Sequence, residues 1–491
     1  MQFYNTESGH KETFEPESLP VKMYVCGLTP KNEPHVGHAR TFIVNDTVRR
    51  YLEYRGYPVR FVQNFTDIDD KIIAAGLRDG IPAAEAARRY TESYFRDMDR
   101  LGVRRADVYT YVTEFIPQII VFVEWLITSG HAYVIENDVY FSVPSFPSYG
   151  KLSGRDEEAM RAGARIEADE RKRDPRDFAL WKGAKPGEPW WESPWGNGRP
   201  GWHIECSTMA METLGEQIDI HGGGSDLIFP HHENEIAQSE SLTDKVPFVR
   251  YWIHTGMMSL SKAAGQEEKM AHSGTFITIR SLLDEDGVPP PALRVYLLSQ
   301  RYRANWIYST EALWATVARW RRWVQARNTL TRLGEWAAAR VAGESAGETS
   351  AREDRLVEQV AAARAAFIGA MDDDLNTSGA LGATDELVTA ANEYMNLLGD
   401  TPEAAGVAVA LTQARAALDE LTGVLGVSLD EAQVGIDAEA RVAIEALVAR
   451  RGVARQSRDW AAADRIRHEL DETYHVVVKD TPQGATWTVR E

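Results

Sequence analysis

Along the first hundred residues the apolar positions switch between two periods. VKMYVCG (21–27) is a short, nearly continuous apolar run of strand type, and HARTFIVNDTVRRYLEYRG (38–56) repeats its apolar residues at helical spacing and stops at Gly56. YPVRFVQNFTD (57–67) returns to strand type. Strand, helix and strand in that order predict a parallel α/β sheet. From about 140 to 200 the period is lost in the turn-rich stretches VPSFPSYGKLSG and KGAKPGEPWWESPWGNGRPG, which predict an insertion whose second part is largely loop. The α/β texture resumes at GWHIECSTMAMETLGEQIDIHGGGSDLIFPHHENEIAQSE (201–240), and beyond Pro289 the pattern is almost wholly helical. The acidic AGESAGETSARED (342–354) and the stretch 427–438 read as soft joints before a compact end. The most apolar run, FIPQIIVFVEWLI (115–127), is broken by Pro117, Gln118 and Glu124 and predicts a helix with one buried face, too short for a membrane span.

Composition bounds the picture. The chain's 491 residues suffice for about three domains, and its hydrophobic content of 44% supplies real cores. A net charge of −19 argues against a surface that coats nucleic acid generally, while leaving local patches open. Two cysteines, Cys26 and Cys206, are too few for a disulfide framework and fit a reducing compartment. No basic segment followed by an apolar one opens the chain, so a cytoplasmic protein is expected.

Three stretches carry chemistry. EPHVGHAR (33–40) sets His35 and His38 three apart where a Gly/Pro-containing loop runs into a helix. Backbone N–H groups and the helix dipole at such a junction suit a phosphate chain, with the imidazoles as added donors; a generic loop with surface histidines accounts for the same letters. In HGGGSDLIFPHHENEIAQS (221–239), three glycines permit close backbone approach to a ligand beside Asp226. His231 and Glu235 stand four apart on one helix face, as half of a zinc site or as a solvated pair. Cys26 and Cys206 would complete a tetrahedral set of thiolates, imidazole and carboxylate; that both are small buried hydrophobes is the equal alternative.

MYVCG, HVGHAR, NFTDIDDKI, RDPRDFALWK, PGWHIECS, DIHGGGSDLIFPHHENEIAQSE, ALRVYLLSQRYR and DWAAADRIRHELDETYHVVVKDTPQGATW follow one another in this order. Taken together, over nearly the whole chain, they resemble the cysteinyl-tRNA synthetases. The resemblance implies an α/β, class I Rossmann-type parallel-sheet catalytic domain in two halves, 1–125 and 201–258, split by an inserted connective domain at 126–200. It also implies a KMSKS-like loop and stem-contact region at 259–290, a DALR-like helical tRNA-binding bundle at 291–426 and an anticodon-binding domain at 438–491. The implied activity is ATP-dependent ligation of L-cysteine to tRNA(Cys) through a cysteinyl-adenylate, by a monomer using one zinc ion (Zn2+), with Mg2+ accompanying ATP. By the same resemblance the zinc ligands correspond to Cys26, Cys206, His231 and Glu235, and His35 and His38 act on ATP. Gly27, Thr29, Asn64, Thr66 and Trp202 correspond to the adenylate pocket, and Gly224, Ser225 and Asp226 to the adenosine side; Trp202 as ordinary core stays open. Cysteine differs from serine by one atom, so an apolar pocket separates them weakly, whereas zinc turns the difference into metal–thiolate bonding.

The second class I signature departs from the family. KMAHSGTF (269–276) stands where KMSKSLGNF is usual, so Lys269 is retained while His272 replaces the second lysine. Histidine, with a reference pKa of about 6.5, is mostly uncharged at neutral pH unless phosphates hold its proton. MSLSK (258–262) offers a rival register, but FITIR (276–280) follows the first candidate as it does in the family. Lys31 and Asn32 replace a tyrosine–aspartate pair, and Phe65 a valine.

For tRNA, the region from Arg294 to Arg332 holds eight arginines against one acid, Glu311, with Trp306, Trp314, Trp320 and Trp323 interleaved. The arginines are expected to neutralise phosphates, the tryptophans to pack. Trp460 and Asp464, four apart on one helix face, match anticodon-reading positions of the family, though Asp464 paired with Arg467 or His468 is the plain alternative. Three rival functions share parts of this reading. They are a cysteine-adenylating ligase with a non-tRNA acceptor of the mycothiol type, a catalytically weakened tRNA-binding paralogue, and a zinc hydrolase.

Overall fold

The computed structural model describes residues 1–155, 170–261, 267–269, 277–341, 350–398, 404–430, 438–456, 459–474, 476–481 and 484–489. A hairpin of β1 (Gln2–Asn5) and β2 (His10–Thr13) leads into the central sheet. That sheet is built from β3 (Val21–Leu28), β4 (Val59–Phe65) and β5 (Val108–Tyr111), joined from far along the chain by β10 (Ile218–Gly224) and β11 (Val249–Thr255). Its order is β11-β10-β3-β4-β5, parallel throughout. The strands read as apolar runs because both faces are covered. Helix α1 (Val36–Tyr54) carries the chain from β3 to β4, while α2 (Asp70–Asp79) and α3 (Ala83–Arg100) link β4 to β5.

The topology itself locates the site. The chain leaves β3 towards β4 on one side and leaves β10 towards β11 on the other, so the crevice at the carboxyl ends of β3 and β10 is a switch point, where open α/β sheets bind ligands.

The predicted insertion is present as α4 (Ile116–Thr128) followed by an antiparallel sheet of β6 (Ala132–Ile135), β7 (Asp138–Phe141), β8 (Phe178–Gly183) and β9 (Gly198–Pro200). Its second turn-rich stretch, 182–201, is largely loop as expected, with strand only at its two ends in β8 and β9, and the sheet packs through the fully buried Trp181 and the Phe141–Phe178 stack at 5.0 Å. Two further helices pack with the central sheet, α5 (Trp202–Leu214) and α6 (Glu233–Thr243). A small sheet follows, in the order β13 (Glu267–Lys269), β12 (Met258–Ser261), β14 (Trp306–Ile307).

Helices α7 (Pro290–Leu298), α8 (Thr310–Val341), α9 (Ala351–Asp372), α10 (Thr377–Leu397) and α11 (Ala404–Val424) form the predicted bundle, whose core runs on continuously into one face of the central sheet. The last element group is α12 (Ala438–Gln456), α13 (Trp460–Tyr474) and the hairpin β15 (Val476–Thr481), β16 (Gly484–Val489), with a small core of its own around Ile444, Leu447 and Leu470. Among the described residues no helix is long and apolar enough to cross a membrane.

Candidate active site and metal centre

β3 ends at Cys26-Gly27 against β4. A Cβ on Gly27 would lie 1.6 Å from the Asn64 carbonyl oxygen, so only glycine lets the strands close there. The Gly27 N–H donates to Asn64 Oδ1 at 2.8 Å, which fixes the Asn64 side chain at the lip of a cleft of about 490 Å3. That cleft is lined by Cys26, Gly27, Thr29, His35, His38, Asn64, Thr66, Trp202, Cys206, Gly224, Asp226 and His231, so the residues singled out from the sequence converge. Ser225 faces a neighbouring hollow beside Asp226, and Glu235 is fully buried behind the cleft floor. Trp202 is not ordinary core: it stacks on His231 at 4.3 Å and takes Lys71 Nζ over its ring at 5.1 Å.

At the mouth, His35 and His38 cap α1 reciprocally. His35 Nδ1 accepts from the Gly37 and His38 N–H groups, and His38 Nδ1 accepts from the His35 N–H at 3.4 Å. The rings stack at 3.6 Å. Burial and the neighbouring Lys31 bring His35 down to about 4, and burial with His35 and Lys31 holds His38 well below its ordinary value. Both rings are therefore neutral at pH 7, and with Nδ1 accepting, each carries its proton on Nε2.

The three glycines serve different ends. Gly222 yields to Asn45 Oδ1, which would lie 2.1 Å from a Cβ, and Gly223 to the His232 ring at 2.8 Å, so of the three only Gly224 faces the cleft.

At the floor, Cys26 Sγ lies 3.5 Å from Cys206 Sγ, 3.6 Å from Glu235 Oε1 and 3.3 Å from His232 Nε2, and His231 Nε2 lies 3.0 Å from Glu235 Oε1. Donor atoms of Cys26, His231, His232 and Glu235 fall within 4.8 Å of one another. Tetrahedral zinc with its usual bond lengths places a sulfur donor about 3.6–3.8 Å from a second sulfur or an oxygen donor, close to the Cys26–Cys206 and Cys26–Glu235 spacings, so the donor chemistry suits that ion; Cys206, however, lies outside the mutually close set, in which His232 stands instead. His231 sits in a π-helical turn (Ile228–His232) ahead of α6, yet keeps its contact with Glu235. Burial works against charge here, but His221 and His231 bring Glu235 down to about 2, and Glu235 and Cys206 bring His231 up to about 10. Burial and the adjacent Cys206 raise the Cys26 thiol, whereas Cys206, against its burial, is brought to about 6 by Cys26 and His231.

Similarity to known proteins decides the family. Residues 13–318 match the class I (C) tRNA synthetase catalytic domain, and residues 366–430 a DALR domain. The chain is 46% identical to the cysteine–tRNA ligase of Heliobacterium modesticaldum over 491 residues, covering 99% of each chain. It is 45% identical to that of Geobacillus thermodenitrificans, covering 99% of this chain and 98% of the other. The chain belongs to the cysteine–tRNA ligase family. Among solved structures, methionyl-tRNA synthetase of Mycobacterium tuberculosis bound by methionyl-adenylate superposes with a TM-score of 0.59 at 17% identity, over 90% of this chain and 96% of that one, which is a likeness of fold.

Within this chain the structure adds residues that sequence reasoning missed. His232 joins the metal-type cluster, and a second layer stands behind it. His221 Nε2 meets Glu235 Oε2 at 3.0 Å, His203 Nδ1 meets His231 Nδ1 at 3.1 Å, and His254 bridges His232 at 2.7 Å to Thr6 at 2.8 Å. The doubled His in PHHENE and the histidines at 203, 221 and 254 were the available signal: five of the chain's 12 histidines fall in the returning α/β segment. Lys71, at the start of α2, is a further cation lining the cleft.

Elsewhere the placements differ from expectation. Lys269 ends β13, its backbone paired with Ser259, while His272 lies outside the described residues. Trp320 and Trp323 are buried, as expected of packing tryptophans, whereas Trp314 is exposed. Of the counted arginines, Arg294 is fully buried on Asp46 and so faces no phosphate, while Arg303, Arg319, Arg322 and Arg327 pair with Asp374, Asp385 and Asp419, acids that lie outside the counted stretch. Trp460 is exposed, and Asp464 pairs with Arg467 at 3.2 Å on the surface, a contact worth about 0–1 kcal/mol and easily exchanged for another partner.

Proposed function

We propose that the chain is a cytoplasmic enzyme that ligates L-cysteine to tRNA(Cys) in two steps at the switch-point cleft. The cysteine carboxylate attacks the α-phosphorus of ATP, the bond to the β-phosphate oxygen breaks and pyrophosphate leaves. A terminal ribose hydroxyl of the tRNA then attacks the acyl carbon, the bond from that carbon to the phosphate oxygen breaks, and AMP leaves as the hydroxyl proton passes to its phosphate. Both reactants bring their own nucleophile and leaving group, so the protein's work is positioning and charge stabilisation. The observation that carries this reading is the single cleft with two thiols, His231 and Glu235 at its floor and the neutral His35–His38 pair at its mouth.

His35 and His38 donate Nε2–H to phosphate oxygens without needing a charge of their own, while Lys31 and Lys71 supply the positive field of the cleft. Lys269 and His272 are assigned to the pyrophosphate by their place in the KMSKS-like motif. Asn64 and Thr66 hold the adenylate's backbone end, with Thr66 itself oriented by its hydrogen bond to Glu205 Oε2 at 3.1 Å. Gly224, Ser225 and Asp226 take the adenosine, and Mg2+ accompanies the phosphates. Cys26, Cys206, His231 and Glu235 would hold zinc, with His232 as a further donor beside Cys26. When bound, zinc supplies a soft Lewis acid for the substrate thiolate, for which a serine hydroxyl is a poor substitute. Trp460 and Asp464 contact the anticodon loop.

The test is cysteine-dependent ATP–pyrophosphate exchange followed by charging of tRNA(Cys), with serine as control. Exchange with cysteine alone and transfer to tRNA(Cys) are expected. Exchange without charging would move the assignment to a ligase for another acceptor, and absence of exchange would remove the adenylation chemistry.

A further inference from the structure

Arg40 lies two residues beyond His38 on α1 and is 1% exposed, yet it does not line the cleft. Among the described residues no carboxylate pairs with it. Its guanidinium instead gathers four backbone carbonyls: Nη1 donates to Gly256 O at 2.8 Å, and Nη2 to Arg301 O at 3.1 Å, Tyr302 O at 3.3 Å and Ala304 O at 2.9 Å. The same group stands over the Trp306 ring at 5.6 Å. A buried cation held only by carbonyl dipoles is a costly way to gain stability, and burial brings this guanidinium down to about 10. Its rigid fork of donors, however, holds several acceptors in one fixed arrangement.

What it holds is the root of the small sheet. Gly256 is followed directly by the segment into β12; its N–H donates to Tyr302 O at 2.8 Å, and a Cβ on it would sit 2.4 Å from Ala304 O. β12 then pairs in parallel with β14, Met258 to Trp306, and antiparallel with β13, Ser259 to Lys269. The backbone of Lys269 is thus tied, through two ladders and one guanidinium, to the helix that begins at His35 and His38. The far side of the same region is also tied to that helix start, since Val36 N–H donates to Ile277 O and Ile279 N–H to Pro34 O, both at 3.1 Å.

We infer that Arg40 is a positioning residue for adenylation: its carbonyl clamp sets the distance between the His35–His38 turn and the backbone strand that ends at Lys269, the two elements that the proposed function assigns to the phosphate chain. The inference rests on the proposed function. The thiols and Glu235 sit on β3, α5 and α6, and none of the Arg40 hydrogen bonds reaches those elements.

The experiment compares wild type with Arg40→Lys, whose single ammonium cannot span the four carbonyls, and with Gly256→Ala, which pushes on the Ala304 carbonyl from the other side while leaving Arg40 in place. Pyrophosphate exchange is measured per active site, counted by adenylate burst. For both variants kcat is expected to fall by about 100-fold, the order of loss that a displacement of roughly 1 Å brings, with the KM for cysteine unchanged and the double variant no worse than either single one. Hydrogen–deuterium exchange, which needs no activity, is expected to rise in 256–261 and 301–308 and to stay unchanged around Cys206 and Glu235. Wild-type kcat in Arg40→Lys, a parallel rise in the KM for cysteine, or unchanged hydrogen exchange in 256–261 would each overturn the inference. A wild-type chain without cysteine-dependent exchange overturns the function instead, and the hydrogen-exchange comparison still decides whether the clamp exists.

Discussion

Asp46 and Arg294 join the helix of the HVGH turn to the helical bundle, and the effect of separating them can be worked out from their partners. Arg294 is fully buried on α7; its Nε donates to Leu425 O at 2.6 Å, Nη1 to Leu101 O at 3.2 Å and Nη2 to the Asp46 carboxylate. Asp46, on α1 and 4% exposed, also accepts from Arg50 Nε at 2.7 Å and the Arg104 backbone N–H at 3.1 Å. Asp46→Asn keeps the shape and one acceptor oxygen but leaves the buried guanidinium without its counter-charge. Breaking a buried pair from one side costs about 3–5 kcal/mol, and the carbonyls that Arg294 retains argue for about 3 kcal/mol. Combining Asp46→Asn with Arg294→Met removes the stranded charge and should restore at least about half of the loss, because a buried pair gives little net stability over apolar packing.

Equilibrium urea unfolding of the full chain measures both, following the transition in which the bundle and sheet separate. Burial would raise the Asp46 pKa, but Arg294 and Arg50 hold it below the usual carboxylate range. Its contribution is therefore complete above the unfolded value of about 3.9 and is lost as pH falls through the lower folded value. The gap between wild type and Asp46→Asn should accordingly stay constant from pH 8 to about 4 and narrow below that. A loss under about 1 kcal/mol at pH 7, or a double variant less stable than Asp46→Asn, would refute the account.

Three shorter predictions follow from the site. Cys206→Ser should lower bound zinc, read by elemental analysis, and raise the KM for cysteine by at least about tenfold while sparing that for ATP; equal effects on both substrates with full zinc would contradict the assignment. His38→Asn, which keeps a neutral N–H donor, should retain more exchange activity than His38→Ala, and wild-type exchange should show no inflection between pH 6 and 8 from this ring, because it is already neutral there. Glu233, fully buried, accepts the N–H groups of Gly150 at 2.9 Å and Ser153 at 2.8 Å, so Glu233→Gln should cost about 2 kcal/mol and speed hydrogen exchange at 150–153; unchanged exchange there would count against it.

Periodicity in the sequence determined the alternation of strand and helix around HVGH, the helical second half, and the pairing of His231 with Glu235, because each depends on residues within one or two turns of one another. Family resemblance supplied the union of Cys26 with Cys206, which composition and spacing left as an even choice. Only tertiary structure decided which groups face those residues. The approach of His232 to Cys26, the arginines spent on Asp385 and Asp419, the strands around Trp181 and the four carbonyls of Arg40 all join segments tens to hundreds of residues apart. A hydrophobic pattern states which face of an element is buried. It carries no information about which other element buries it, and polar partners at such a face are chosen by that packing.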